Sequence, residues 1–374
     1  MLGVPCQGAG ADNQVLVTAS GAIVASHEGC RARESRGFML RLVYELPEEL
    51  EEALGIAESA PRVRVAQPKA LVVAGMGGSG IGGEILRSLL VHSALLPVVT
   101  VKDYDLPRWL DRRDLCFIVS YSGNTEETLS CYHQAVQRGI PRIVVTSGGQ
   151  LGRLASARGD VVVPVPGGYP PRAAVAYLLC PLLVYTSRLR GMPDFSKDLR
   201  RALNVLLMVR RRYCTRARTL ARELAERLPV IYSTSRLLDP IADRWRCQFN
   251  ENAKVFVHTN YFPELDHNEI VGLGSPAQLR PLTCLLVLSD PAAHERNSLR
   301  SKLTIDILKG TYTAAEFLVP DGESPLERVL SLLFLGDLVS VYLAQERNVD
   351  PMPVQRIDEL KTRLGQASWS KSRL

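Results

Sequence analysis

Short apolar runs alternate with helical patterns along most of the chain from residue 71 onward. In the first half these runs are rich in β-branched residues and are apolar at nearly every position, not at alternate ones. Strands of this kind are covered on both faces, which is typical of a parallel sheet with helices on each side. The pattern predicts strands at residues 71–75, 98–101, 116–120, 142–146 and 161–165, with helices such as 82–90 and 125–138 between them.

A long helical stretch, 173–227, follows and is interrupted at Gly191 and Pro193. The alternation then restarts, with strands predicted at 229–233, 255–258, 283–288 and 316–319. We therefore predict an α/β protein with two doubly wound, flavodoxin-like parallel-sheet domains in tandem, at 39–191 and at 192–374 with the linking helices. Residues 1–38 have weak hydrophobic periodicity, and we expect a disordered extension there.

The charge and the apolar runs limit the classes of partner. A formal net charge of +6 is small for 374 residues, and the one compact basic run, 210–212, lacks the interleaved aromatic residues that stack on bases. The longest apolar run contains Pro181 and is shorter than the roughly 18 to 20 residues of a membrane span. We predict no nucleic-acid partner and no membrane partner; the charge is compatible with an anionic small substrate.

Cysteine and histidine spacing gives no sign of a metal site. The eight cysteines are scattered without a CxxC pair, and the patterns HxxxH and HExxH do not occur among the six histidines. Scattered cysteines of this kind are typical of buried thiols in a reducing compartment. We therefore predict a cytoplasmic protein that needs no metal and no cofactor.

Two loops in the first half stand where a predicted strand gives way to a helix. The first, GMGGSGIGG at 75–83, is rich in glycine; the second, SYSGNTEET at 120–128, groups the hydroxyls of Ser120, Ser122 and Thr125. Ligands collect at the carboxyl ends of parallel strands, and a helix amino terminus offers free N–H groups to an anion. Hydroxyls and N–H groups that converge on one point suit a phosphate. Helix capping would explain only one of the three hydroxyls.

A dinucleotide site is the competing interpretation of the first loop. Gly75, Gly77 and Gly80 satisfy GxGxxG, and Asp103 follows the next predicted strand, at about the 20-residue distance of the acid that binds the ribose in such sites. The hydroxyl cluster of the second loop has no role in a dinucleotide site. The two loops together therefore favour a phosphate monoester.

The succession of GMGGSGIGG and SYSGNTEET resembles the sugar isomerase (SIS) domain. Further along, FNENAK at 249–254 and ELDHNEIVG at 264–272 resemble the bifunctional phosphoglucose/phosphomannose isomerase family, whose usual text is NENAK followed by a HNEIVG box. The similarity extends over residues 39–364, as two SIS domains. It implies a metal-free aldose–ketose isomerase that interconverts glucose 6-phosphate and fructose 6-phosphate, with mannose 6-phosphate as a second substrate.

The resemblance also implies roles for individual residues. The 6-phosphate of the hexose would be held by Gly77, Gly78, Ser79, Ser120, Ser122 and Thr125. Isomerisation through a cis-enediolate needs a base that reaches both C1 and C2, a group that opens the sugar ring, and positive charge beside the oxyanion. By resemblance these groups are the base Glu251, the ring-opening His267 and the cation Arg172, and the resemblance also implies that Lys361 reaches the site from the last helix.

In the family the histidine loop reaches the active site of a partner subunit, so the resemblance implies a homodimer with His267 contributed across the interface. Asp266 stands where the family usually has Asn, and we expect the pH dependence to differ for that reason. Three alternatives stay open. One is a regulator that binds sugar phosphates without catalysis, and the second is the dinucleotide enzyme. The third is an aminosugar synthase, although Cys6 lacks the context of an amidotransferase nucleophile.

Overall fold

The computed structural model describes residues 25–63, 67–91, 93 and 96–366. The first half contains a sheet of five parallel strands in the order β2-β1-β3-β4-β5, which is the flavodoxin-like order. Its strands are β1 (Leu71–Ala74), β2 (Val98–Val101), β3 (Leu115–Val119), β4 (Arg142–Thr146) and β5 (Val161–Pro164). The helices of this half are α1 (Ala25–Tyr44), α2 (Leu46–Ser59), α3 (Gly77–Leu90), α4 (Glu126–Gln137), α5 (Gly149–Arg158) and α6 (Val175–Ser187).

The second half repeats this plan with four parallel strands in the order β7-β6-β8-β9. Its strands are β6 (Leu228–Ser233), β7 (His258–Tyr261), β8 (Thr283–Leu288) and β9 (Ala314–Leu318). Its helices are α7 (Phe195–Leu224), α8 (Asp239–Gln248), α9 (Glu269–Gly272), α10 (Glu295–Ile307), α11 (Pro325–Glu346) and α12 (Gln355–Gln366).

The two halves share one hydrophobic core, with α11 at its centre. This helix is apolar on all sides and is buried along nearly its whole length against α7 and α8. Gly336 permits the closest approach, because a Cβ at this position would lie 2.0 Å from Nε1 of Trp245. The Trp245 indole donates a hydrogen bond to the backbone carbonyl of Leu332 at 2.9 Å. Close packing on α11 thereby fixes α8, which leads directly into the FNENAK segment.

The predicted strands of the first half lie within one residue of the observed ones at each end. One strand of the second half was placed wrongly: the prediction was 255–258, whereas β7 runs over His258–Tyr261. Val255 and Val257 are buried in the core, and Phe256 between them is exposed. The alternation therefore reflects side chains inserted into the core before the strand begins.

The amino-terminal helix extends further upstream than the pattern predicted. α1 begins at Ala25, so residues 25–38, expected in a disordered extension, belong to a helix whose buried Met39, Leu42 and Val43 pack on the core. Residues 1–24 lie outside the described residues. The domain boundaries 39–191 and 192–374 stay predictions. None of the described helices combines the length and the apolar character that crossing a membrane requires.

Candidate active site

The two loops selected from the sequence meet at one point of the first sheet. β1 and β3 are neighbours, and the direction of the strand order changes between them. The glycine-rich loop follows β1 and the hydroxyl loop follows β3, so both lie at the carboxyl edge of the sheet, where folds of this kind bind ligands. α3 begins at Gly77 with a φ of 50°, a conformation that glycine adopts readily.

Two helix amino termini at this edge have no side-chain cap. Met76 precedes α3 and Thr125 precedes α4, and neither side chain accepts a hydrogen bond from its helix. The side chain of Asn124, which precedes Thr125, accepts from the backbone N–H of Gln150 at 2.9 Å. The uncapped N–H groups and the helix dipoles favour an anion at both termini.

The buried hydroxyls of the two loops are held in fixed positions. Ser120 Oγ lies 3.0 Å from Thr125 Oγ1, and Ser79 Oγ accepts a hydrogen bond from the backbone N–H of Tyr121 at 3.1 Å. Ser79 and Ser120 are buried, whereas Ser122 is exposed and, among the described residues, its hydroxyl accepts only from the backbone N–H of Asn124. Ser79, Ser120 and Thr125 therefore form one cluster, with Ser122 at its rim.

Tyr121 links the hydroxyl loop to the segment that carries Arg172. Its hydroxyl donates to the backbone carbonyl of Pro166 at 2.9 Å and accepts from the backbone N–H of Tyr169 at 2.9 Å. The ring itself is buried. These bonds attach the hydroxyl loop to residues 166–169, which lead into the turn that carries Arg172.

Arg172 is buried and reaches from the first half of the chain to the second. The turn that carries it packs on the glycine-rich loop, because a Cβ on Gly78 would lie 2.8 Å from the backbone oxygen of Pro171. Arg172 Nη1 lies 3.6 Å from Glu251 Oε2, and its Nε donates to Asn252 Oδ1 at 2.7 Å. Its Nη2 donates to the backbone carbonyls of residues 351 and 352, at 2.6 and 3.1 Å. Burial lowers the pKa of Arg172, and nearby carboxylates oppose that shift.

Glu251 lies in a π-helical turn, Phe249–Ala253, that continues α8. Turns of this type occur frequently at functional sites. The Glu251 side chain is 28% exposed, so a ligand in the crevice can reach it. Asn252 beside it is fully buried and donates through Nδ2 to Ser340 Oγ at 2.9 Å. The two ends of the Asn252 amide thus fix Arg172 on one side and α11 on the other.

Sequence reasoning does not single out Lys254, although it ends the same turn. Its φ is 56°, and its Nζ donates to the backbone carbonyls of Glu251 and, at 2.7 Å, of Pro353. Burial and the neighbouring Arg172 lower the pKa of Lys254. The available signal was the lysine of NENAK itself, a cation three residues after the expected base.

Two buried acids, Asp337 and Glu49, stabilise the backbone around and after Arg172. Arg244 Nε lies 3.0 Å from Asp337 Oδ1, and Arg244 Nη2 donates to the backbone carbonyl of Arg172 at 3.0 Å. Burial raises the pKa of Asp337, and Arg244 offsets part of that rise. Glu49 caps α6 by accepting from the N–H of Ala176 at 2.7 Å. Burial raises the pKa of Glu49 to about 8, because hydrogen bonds from backbone N–H groups only partly offset its loss of hydration.

Within the described residues, His267 and Lys361 have no hydrogen bond or ion pair to the residues of this site. His267 is exposed at the end of the 3₁₀ turn Glu264–His267, and within the described part of the chain its side chain has no hydrogen bond or ion pair. Asp266 accepts from Thr304 Oγ1 at 2.8 Å and lies 3.2 Å from Arg300. Its carboxylate therefore binds side chains of α10. Lys361 is exposed on α12. The structure therefore unites the phosphate loops, Arg172 and Glu251.

Two family models match the two halves of the chain. Residues 65–164 match the family described as "SIS domain", and residues 214–364 match the "bacterial phospho-glucose isomerase C-terminal SIS domain". A bifunctional phosphoglucose/phosphomannose isomerase of Caldicellulosiruptor bescii is 38% identical, over 88% of this chain and 99% of that protein. This chain belongs to the bifunctional phosphoglucose/phosphomannose isomerase family. A second member, from Aquifex aeolicus, is 38% identical over 79% of this chain and 90% of its own length.

Membership of this family confirms the predicted pair of SIS domains and assigns the glycine-rich loop to the first of them. A relative with another name, the D-glucosamine-6-phosphate 4-epimerase of Sulfolobus acidocaldarius, is 30% identical over 86% of this chain and 96% of that protein. Among solved structures, the C-terminal domain of glucosamine-fructose-6-phosphate aminotransferase from Francisella tularensis superposes with a TM-score of 0.68 at 14% identity, covering 84% of this chain and 97% of that one. At this identity the likeness concerns the fold alone.

Proposed function

We propose that this protein is an aldose–ketose isomerase that interconverts glucose 6-phosphate and fructose 6-phosphate and also converts mannose 6-phosphate. The observation that carries the proposal is the position of Arg172. Its turn packs on Gly78 of the phosphate loop, and its guanidinium lies 3.6 Å from Glu251. A sugar whose phosphate is bound between the two loops, at the carboxyl edge of the first sheet, extends along Arg172 toward this carboxylate. The bifunctional relatives, which are named for both activities, support the choice of substrates.

The 6-phosphate is bound between the amino termini of α3 and α4. Uncapped N–H groups of both helices and the hydroxyls of the cluster converge there, and a phosphate dianion is the ligand that this combination favours. Glycine at 77 and 78 allows the backbone to approach the phosphate oxygens. The residues that hold the phosphate are Gly77, Gly78, Ser79, Ser120, Ser122 and Thr125.

Glu251 moves the proton between C1 and C2. In the aldose-to-ketose direction the carboxylate removes the proton from C2, and the C–H electron pair forms the C1–C2 double bond of the cis-enediolate. The same carboxyl group then delivers the proton to C1, while O1 gains a proton and O2 loses one, so the reaction is balanced. Arg172 stabilises the oxygen that carries the developing negative charge, and its hydrogen bond to Asn252 keeps it oriented.

Ring opening needs a second subunit in this proposal. In a homodimer, the partner's His267 passes a proton between O1 and O5 of the sugar. The exposed position of His267, which has no bonded partner within the described residues, supports this arrangement. α12 also exposes the apolar side chains of Ile357, Leu360 and Leu364, and a second copy that covers them would bring Lys361 to an active site.

We place the enzyme in the cytoplasm. Six of the eight cysteines, those from Cys116 to Cys284, are free thiols. Free thiols of this kind persist in a reducing compartment.

The deciding experiment is an assay of the purified protein on glucose 6-phosphate, fructose 6-phosphate, mannose 6-phosphate and glucosamine 6-phosphate, with and without a chelator. We expect interconversion of the first three sugars at a rate that the chelator does not change. Epimerisation of glucosamine 6-phosphate at C4, without hexose isomerisation, would instead assign the activity for which the Sulfolobus relative is named.

Glu251→Gln tests the base. Gln keeps the shape of the side chain but cannot take up the proton, so we expect kcat to fall by about 10² to 10⁴ while KM changes by less than about threefold. Glu295→Gln, at an exposed position of α10, is the matched control and retains wild-type kinetics. Full activity of Glu251→Gln would exclude this mechanism.

A further inference from the structure

A second polar cluster lies close to His267 in the sequence, with Glu269 at its centre. Both residues belong to the HNEIVG box, and the Glu269 side chain is 17% exposed. Tyr232 on β6 donates its hydroxyl to Glu269 Oε1 at 2.6 Å. From β7, His258 Nε2 lies 2.8 Å from Glu269 Oε2, and Asn260 Nδ2 donates to the same oxygen. Three side chains of two adjacent strands thus bind one carboxylate.

These contacts tie the histidine loop to the second sheet. After β7 the chain passes through the 3₁₀ turn Glu264–His267 into α9, which begins at Glu269. His267 has no bonded partner of its own in the described part of the chain, so its position depends on the residues that flank it. Asp266 is held by α10, and Glu269 is held by β6 and β7. The imidazole lies between these two anchors.

We propose that Glu269 is a positioning residue for His267, which it aligns by holding the HNEIVG loop on β6 and β7 through Tyr232, Asn260 and His258. Burying a carboxylate costs free energy unless strong donors compensate, and three donors converge on this one. The inference rests on the proposed function, because ring opening is the step that uses His267. Glu269 acts through the loop and does not touch the substrate.

The hold of Glu269 on the loop depends on pH. The hydrogen bond to Glu269 raises the pKa of His258, while partial burial and Arg246 of α8 oppose this rise. Burial raises the pKa of Glu269, but the bonds from its three donors outweigh this effect and leave the pKa below its ordinary value. Burial and Glu269, with a smaller effect of Asp266, raise the pKa of Tyr232, which therefore stays a donor. The ion pair is complete below the raised pKa of His258 and weakens as the pH rises through it.

The experiment compares Glu269→Gln and His258→Asn with the exposed control Glu295→Gln. It measures kcat and KM for fructose 6-phosphate, hydrogen exchange of the backbone amides at 262–273, and the NMR signal of the His267 ring. For Glu269→Gln we expect kcat to fall about tenfold with KM within about twofold of the wild type, because binding is unaffected. Exchange in the loop becomes faster, and the His267 ring signal shifts.

His258→Asn tests whether the effect of the His258–Glu269 ion pair on kcat depends on pH. Its loss of kcat is expected to be largest at low pH, where the wild-type ion pair is complete, and to shrink as the pH rises through the titration of His258. The position is 46% exposed, so this variant also provides the test if Glu269→Gln does not fold. A constant ratio of wild-type to variant kcat over about pH 6 to pH 9 would contradict the pH-dependent hold.

The outcomes separate this role from the proposed function and from a purely structural one. Faster exchange in Glu269→Gln with unchanged kcat and an unchanged ring signal would make Glu269 a stabilising residue only, which overturns the proposal. A wild-type protein that converts no hexose phosphate would refute the proposed function. In that case the ring signal of His267 decides the positioning role: it shifts in Glu269→Gln and not in Glu295→Gln if the role is correct.

Discussion

The two halves of the chain contain the same kind of crevice, but the donors of each crevice bind different groups. The strand order changes direction between β1 and β3 in the first sheet and between β6 and β8 in the second. The second crevice also has hydroxyls, yet Ser235 Oγ donates to Asp290 Oδ2 at 2.7 Å and Ser233 donates to Asp239. Arg328 Nε lies 3.0 Å from Asp290 Oδ1. The chain's own carboxylates therefore occupy the donors of the second crevice.

In the first crevice the hydroxyls contact each other and backbone groups. Ser120 Oγ bonds to Thr125 Oγ1, and in the described part of the chain no carboxylate is hydrogen-bonded to either. An anionic ligand thus meets donors that no internal carboxylate has neutralised. The comparison teaches that topology decides where a crevice forms, whereas a few side chains decide whether it can bind a phosphate.

The largest effect is expected from Ser120→Asp, which makes the first crevice resemble the second. A carboxylate beside the 6-phosphate places like charges in contact, so KM for fructose 6-phosphate should rise by about 100-fold or more. Ser120→Ala, which removes only the hydroxyl, should raise KM about fivefold to tenfold. An unchanged KM in Ser120→Asp, with the circular dichroism of the wild type, would show that the phosphate binds elsewhere.

Asp290→Asn removes a carboxylate from the second crevice. We expect it to lower the stability of the protein and to leave KM nearly unchanged. Asp290 and Arg328 are 3% and 8% exposed, so the variant leaves a buried guanidinium without its anion, and the free energy of unfolding should fall by about 3 kcal/mol. Urea denaturation measures this change, and Asp306→Asn, at an exposed ion pair of α10, is the control. KM should stay within about twofold of the wild type. A rise in KM as large as that of Ser120→Asp would contradict the distinction between the crevices.

Glu49→Gln compares the buried acids of the two halves, and its expected effect on stability is the smallest of the three. The buried Asp290 and Asp337 of the second half each face a guanidinium, whereas Glu49 accepts bonds from backbone N–H groups. Its pKa is about 8 in the folded protein against an ordinary 4.5, so between these values the folded state holds a proton that the unfolded chain has released. Stability should fall as the pH rises through this window, by up to about 1 kcal/mol per pH unit. The variant should lack this slope in urea denaturation at several pH values; equal slopes would refute the assignment.

Local sequence was sufficient to predict most of the strands and the two loops after β1 and β3. A β-branched apolar run such as 142–146 favours an extended, two-sided buried strand whatever its partner. The positive φ at Gly77 and the convergence of Ser120 and Thr125 likewise depend on residues near in the chain. The same local information misplaced β7, because Val255 and Val257 have the alternation of a strand but are buried before pairing begins.

The sequence by itself thus determined the class of fold and the two loops, and its motifs predict functional roles for Glu251 and Arg172. Only the tertiary structure decided what these residues contact. Arg172 and Asn252 are 80 positions apart and meet because α8 packs on α11. The cap that Glu49 supplies to α6 spans 127 positions. Such partners leave no local pattern, because a buried charge is stabilised by whichever donor the completed core places beside it.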